Sequence, residues 1–183
     1  LLKKTVEDRL IDRVNQAYNL AMNIYETNKK TKTENEIKYL IATSINDLKF
    51  KDNDSYFFIN SNKGQAILFN KELKLDKYID LFDFKDANNE PVIQIQAKIV
   101  KEKKEGFTTN TFIKPNSNDE VQYSKLSYVK LFEPFDWHIG TGEYLDDLTK
   151  NAQEEILDWL NTLKYKNSSY SFLNTTDGQT LIF

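Results

Sequence analysis

A chain of 183 residues, 39% apolar and 29% charged, has room for one domain with a continuous core, or one domain and part of another, but not for two large ones. Its 25 basic and 28 acidic residues are mixed along the chain and leave a net charge of -3, which excludes the basic field that holds a nucleic-acid backbone. With no cysteine and a single histidine, His138, the chain lacks the ligands for a cysteine or multi-histidine metal site and has one ring for any catalytic triad, so no metal, no cofactor and no enzymatic activity are expected.

From about Thr5 to Lys30 the spacing predicts one long helix, because Leu10, Val14, Ala17, Ala21 and Ile24 recur at steps of four and three. A neighbouring stripe of Ile11, Tyr18, Met22 and Tyr25 calls for a second packing surface, either more of the same core or the same helix of a second chain in a parallel homodimer. Thr33 and Glu36 have the spacing of a capping box, and Ile37, Leu40, Ile41, Ile45 and Leu48 then follow at helical spacing.

After the turn residues 52–54 the period becomes extended. Tyr56 to Ile59 reads as a short strand apolar on both faces, Asn60 to Gly64 as turn chemistry, and Ala66 to Phe69 as the returning strand. Such a strand needs cover on both sides of its sheet. The long helix supplies one cover, and the weakly patterned stretch from Asn70 to Glu105, with a helix from about Val92 to Lys103, supplies the other. Three further strands are expected: Gly106 to Lys114, ended by Pro115 and the polar loop 116–119; Val121 to Phe132, ended by Pro134; and Trp137 to Thr141, with Gly140 and Gly142 at a sharp exit. A last helix carries Leu148, Ala152, Ile156, Trp159, Leu160 and Leu163, with Asp146 and Asp147 complementing the positive end of its dipole. No run approaches the roughly 20 apolar residues that cross a bilayer, so any anchor is expected outside this sequence.

The C-terminus repeats an earlier segment. Residues 55–69, SYFFINSNKGQAILF, align with 169–183, SYSFLNTTDGQTLIF, at both ends, at the turn glycine and in hydrophobic alternation. A spacing of about 114 residues exceeds the roughly 20 to 50 of solenoid repeats and fits duplication of a whole domain.

The run from Ser127 to Asp147, SYVKLFEPFDWHIGTGEYLDD, together with Tyr56 to Ile59 and the pair Gly106-Phe107, resembles the Cache sensor family, in the branch that often occurs as tandem modules. The resemblance implies an α+β fold with a PAS-like five-stranded antiparallel sheet behind a long N-terminal helix, followed by the start of a second Cache module. It also implies an extracytoplasmic, periplasmic sensor domain of a membrane-anchored chemoreceptor or sensor histidine kinase, with a small organic ligand, carboxylates being favoured. Three positions depart from the family pattern: Phe69-Asn70 stands where a His-Pro pair often ends the second strand, Asn110 and Phe112 stand where an aromatic pair is common, and Asp54-Ser55 replaces a frequent basic residue. The expected segments are residues 1–50 for the two helices, 51–147 for the first module, 148–164 for a connecting helix and 165–183 for the opening hairpin of the second.

Candidate ligand contacts follow from strand alternation. Leu126, Tyr128, Lys130 and Phe132 share one face, so Tyr128 and Lys130 are expected to offer a hydroxyl and a cation to a ligand carboxylate. Tyr56 and Phe58, Phe69, and Asn110 with Phe112 are expected to complete the pocket. Which face each strand presents is open at this level: Lys130 packed along its stem and Tyr128 in the core is the plain alternative. His138 is expected at a solvent-side position. The competing functional reading is a ligand-free ectodomain that serves dimerisation alone.

Overall fold

The structure, a computed structural model, describes residues 2–48, 50, 56–114, 120–162, 173–174 and 180–182. The turn expected at 52–54, the loop at 116–119 and, within the repeat, residues 55, 163–172, 175–179 and 183 lie outside the described residues.

Helix α1 (Leu2–Asn28) is uninterrupted because it holds neither glycine nor proline. Its first stripe is buried at Leu10, Val14, Ala17 and Ala21. The second stripe turns out to serve the same core: Tyr18, Met22 and Tyr25 pack on it, with Tyr18 and Tyr25 edge-on to Phe132. Tyr18, Met22 and Tyr25 are therefore partly occupied within the chain. Helix α2 (Glu34–Asn46) starts with the expected capping box, in which Thr33 Oγ1 accepts from the Glu36 amide and Glu36 Oε2 from the Thr33 amide.

The sheet runs in the order β3-β2-β1-β6-β5-β4, with every neighbouring pair antiparallel. Its strands are β1 (Phe57–Ser61), β2 (Ala66–Phe69), β3 (Glu72–Leu73), β4 (Glu105–Ile113), β5 (Gln122–Phe132) and β6 (Trp137–Tyr144). The two-residue β3 adds a sixth strand to the five expected; the turn into it uses positive φ at Asn70 and Lys71. Strand β6 continues through Gly142 to Tyr144 rather than leaving the sheet at the glycines.

Helices α1 and α2 cover one face, over a core of Phe57, Ile59, Phe132, Trp137 and Ile139. The other face is covered by α3 (Val92–Lys103), which begins at Pro91 and stops at Lys104, whose φ of 69° takes the left-handed region. Alongside α3 lies the stretch 74–91. It is held to the first hairpin by the Ala66 amide bonding Ile79 O and the Leu81 amide bonding Gly64 O. That approach is why residue 64 is glycine: φ is 99°, and a Cβ there would stand 2.5 Å from Phe82 Cβ.

The chain divides into two compact units, Leu1–Tyr144 and Leu145–Phe183. The second holds α4 (Leu145–Thr162), with Asp146 and Asp147 in its first turn, and the strands β7 (Leu173–Asn174) and β8 (Thr180–Ile182). The hairpin in this unit pairs Leu173 with Ile182 and Asn174 with Thr180, and the earlier one pairs Ile59 with Leu68 and Asn60 with Ala66. In both, the register slips between the same two aligned positions.

Candidate functional site: a cleft around a buried lysine

Strand register assigns the faces. Asn110 stands opposite Lys125 and Lys125 opposite Tyr144, so these three share the face under α3. Tyr56 precedes β1 and shares that face with Phe58 and Asn60, since alternate residues of a strand point the same way. Between this face and α3 lies a small cleft; about 330 Å³ of space is free of atoms there when the open solvent at its mouth is included. Its walls are Tyr56, Phe58, Phe69, Ile93 and Phe112, and its polar groups come from Asn60, Gln96, Lys125 and Ser127.

Lys125 dominates the electrostatics. The side chain is 2% exposed, and its ammonium lies 3.9 Å from the ring centre of Tyr56, 5.3 Å from Tyr144, 5.6 Å from Phe58 and 6.0 Å from Phe112. Ring faces attract a cation but do not neutralise it. Among the described residues no Asp or Glu lines the cleft and no carboxylate pairs with Lys125. Burial works against ionising the Tyr56 phenol, but the Lys125 charge and hydrogen bonds from Lys125 and Tyr144 outweigh it and hold the phenol below its usual range. Lys125 fits because β6 has glycine beside it: a Cβ on Gly142 would come within 2.9 Å of Lys125 Cε and 2.5 Å of Leu126 O.

At the other end, His138 has no exposed surface, which corrects the expectation of a solvent-side ring. Burial pushes it down to about 3, so the ring is neutral. Its Nδ1 lies 2.8 Å from Asn62 Oδ1, and its Nε2 lies 3.1 Å from Gln96 Oε1 and 3.4 Å from Asn60 Nδ2. Asn60 Oδ1 and both amide atoms of Asn110 are buried with no hydrogen-bond partner among the described residues.

Of the residues expected in the pocket, Tyr56, Phe58, Phe69 and Phe112 line the cleft, and Asn110 is buried on the same face beside Lys125. Tyr128 and Lys130 do not: they lie on the opposite face, under α1. Lys130 donates to Asn15 Oδ1 at 2.8 Å and pairs with Glu105 at 2.7 Å. Tyr128 packs on Phe107, and its phenol is pushed up to about 12 by burial and by the Glu105 charge. The expected cation sits one residue out of phase, and a shift of one reverses the face. Asn60, Ile93, Gln96, Lys125 and Ser127 were not anticipated. The signal for Lys125 is the glycine pair of β6, since Gly140 and Gly142 leave room on the face that β5 lines with Lys125 and Ser127.

A family model described as Cache domain matches residues 1–183. The chain belongs to the Cache domain family. Domains of this family are sensor modules of chemotaxis receptors and histidine kinases that normally bind ligands without catalysis. Over 107 residues, 58% of this chain, the Cache domain is 30% identical to the methyl-accepting chemotaxis protein McpP of Pseudomonas putida. Over 145 residues, 79% of the chain, it is 25% identical to the sensor histidine kinase MctS of Rhizobium johnstonii. These alignments span 19% and 30% of the two relatives, so the chain corresponds to less than a third of their length. Two solved structures share the fold. One, reported as the periplasmic sensor domain of a chemotaxis protein, has a TM-score of 0.67 at 22% identity and covers 76% of this chain and 96% of its own. The other, from work on carboxylic acid recognition by a Cache chemosensory domain, has a TM-score of 0.68 at 24% identity and covers 79% and 96%.

Proposed function

We propose that this Cache domain is the extracytoplasmic sensor of a transmembrane receptor, and that its cleft takes a small organic acid whose carboxylate meets the Lys125 ammonium. The observation that carries the reading is a buried cation with aromatic neighbours and, among the described residues, no acidic partner in the cleft. A buried charge is costly unless paired, and an incoming carboxylate supplies the pair together with a charge-assisted hydrogen bond. Tyr56, Phe58, Phe69 and Phe112 form the apolar wall around the carbon chain, and Asn110 stands beside the anion. The receptor context rests on the chemotaxis and kinase relatives, and the solved Cache domain described for carboxylic acid recognition supports the ligand class. We read residues 165–183 as the opening of a second module; the coincidence of pairing register in the two hairpins supports this.

Titration calorimetry and thermal unfolding with a panel of small monocarboxylates test the reading. At about 100 times Kd a true ligand stabilises by about 2.7 kcal/mol. Lys125→Met, which keeps the stem and removes the charge, is expected to weaken binding by roughly 10- to 100-fold, the value of a hydrogen bond to an ion. Lys130→Ala, on the far face, is expected to leave affinity within about a factor of two. If no carboxylate raises the melting temperature, or if Lys130→Ala rather than Lys125→Met abolishes the effect, the reading is wrong. The first result would leave an ectodomain whose role is association alone.

A further inference from the structure

The cleft has a second polar end that its cation does not explain. Asn60 is 1% exposed and lines the cleft, and its Oδ1 has no partner among the described residues. Gln96, 2% exposed, reaches the same place from α3. The orientation of both amides is set from behind by a chain of hydrogen bonds. Asn62 Nδ2 donates to Asp136 Oδ1 at 2.8 Å, so Asn62 must turn its carbonyl oxygen to His138 and accept from Nδ1–H. A neutral ring has one proton, which leaves Nε2 bare and able only to accept. The Gln96 oxygen at 3.1 Å from that nitrogen would set lone pair against lone pair; a half turn of the carboxamide puts its N–H there and its oxygen elsewhere. Asn60 already offers its Nδ2 to the same ring atom at 3.4 Å. The single lone pair of Nε2 is thus met by an amide N–H, and Asn60 keeps a buried carbonyl oxygen with no partner among the described residues.

From this we infer that the Asn60–Gln96 end is a second subsite that takes an uncharged hydrogen-bond donor, a hydroxyl or carboxamide, carried by the same ligand whose carboxylate meets Lys125. The inference rests on the carboxylate reading of the cleft. A second carboxylate is disfavoured there because it would face an acceptor with no cation beside it. An ammonium is disfavoured because none of the described residues lining the cleft is acidic and Lys125 already makes it positive. The ligand class is therefore a short acid with one charge and a neutral polar group remote from it.

Calorimetry on the full chain compares propanoate with 3-hydroxypropanoate, butanoate with 4-hydroxybutanoate, and pentanoate with 5-hydroxypentanoate; succinamate, succinate and 4-aminobutanoate complete the set. The hydroxy acid or succinamate is expected to bind about tenfold tighter than the plain acid of best-fitting length, and succinate and 4-aminobutanoate more weakly. Asn60→Leu is expected to erase that advantage, so that the hydroxy acid and the plain acid of equal length bind alike. Asn60→Asp, which puts an anion at the subsite, is expected to make 4-aminobutanoate the preferred ligand. Plain acids binding as tightly as their hydroxy partners at every length, or an advantage that survives Asn60→Leu, overturns the subsite and leaves the carboxylate reading standing. If no acid binds, the carboxylate reading fails and the subsite falls with it. Should Asn60→Leu not fold, the wild-type pairs and Asn60→Asp decide.

Discussion

His138 is neutral because the fold gives it no water, and this has a consequence for stability. Its ring sits against Phe58, Asn60 and Gln96 with no acidic side chain among the described residues bonded to it, and burial lowers it from 6.5 to about 3. The unfolded chain takes up a proton as pH falls through about 6.5, whereas the folded chain takes it up only near 3. The unfolded state therefore binds more protons between those values, and stability declines as pH drops. The contribution is full above pH 6.5 and is lost by about pH 3. Between pH 7 and pH 5 the decline attributable to this ring is up to about 2 kcal/mol. Urea unfolding of the native chain and of His138→Gln at both pH values checks this. The variant is expected to lose less stability on acidification than the native chain. Parallel losses in the two proteins would show that the ring is charged or wetted in the fold.

At the scale of elements, α1 is tied to β6 on the face away from the cleft. Arg9 forks onto Glu143, with Nε to Oε1 at 2.7 Å and Nη2 to Oε2 at 2.6 Å, and Arg13 Nη1 reaches Oε1 at 3.2 Å while its guanidinium stacks on Phe50. The Glu143 and Arg13 side chains are only 9% and 10% exposed, against 39% for Arg9. Glu143→Gln is therefore expected to cost about 3 kcal/mol, because it withdraws the charge that both arginines share in a buried setting. Arg9→Gln, at the wetter end, is expected to cost about 1 kcal/mol or less. Denaturant unfolding of the two variants distinguishes them, and equal effects would refute the burial argument. Glu143 adjoins Tyr144, which faces Lys125, so this strand carries the cleft on one side and the helix tether on the other. Most elements were legible in the sequence: helical spacing marked α1, the capping box α2, short apolar runs about a turn β1 and β2, and alternation the faces of β5. What alternation does not contain is the side of the sheet each phase faces. Tyr128-Lys130 and Lys125-Ser127 are equally good alternating pairs, and only the pairing of β5 with β6 separates them. Strand β3 was hidden because two residues make no pattern. His138 read as a solvent-side residue and Asn60 as part of a turn, because the groups that meet at the ring, from Asn60, Asn62 and Gln96, lie far from His138 along the chain.

For the molecule as a whole, the first unit contains the entire cleft: its lining residues fall between Tyr56 and Ser127, while the unit ends at Tyr144. Both covers of the sheet, α1 with α2 and α3 with the stretch 74–91, also belong to that unit. A domain of this length buries about two-thirds of the surface of its unfolded chain, enough for a cooperative core. The second unit repeats the opening hairpin of the first, and its described residues hold no counterpart of β4, β5 and β6. Ligand recognition is therefore expected to stay with residues 1–144. A polypeptide shortened to that span should unfold in one cooperative transition and bind whichever acid the full chain binds with a Kd within about threefold, a difference of about 0.6 kcal/mol. Calorimetry on both polypeptides, with circular dichroism to follow unfolding, makes the comparison. A drop of tenfold or more, about 1.4 kcal/mol, in a shortened chain that still folds would mean that residues 145–183 take part in recognition, and the cleft would then have to be redrawn to include them.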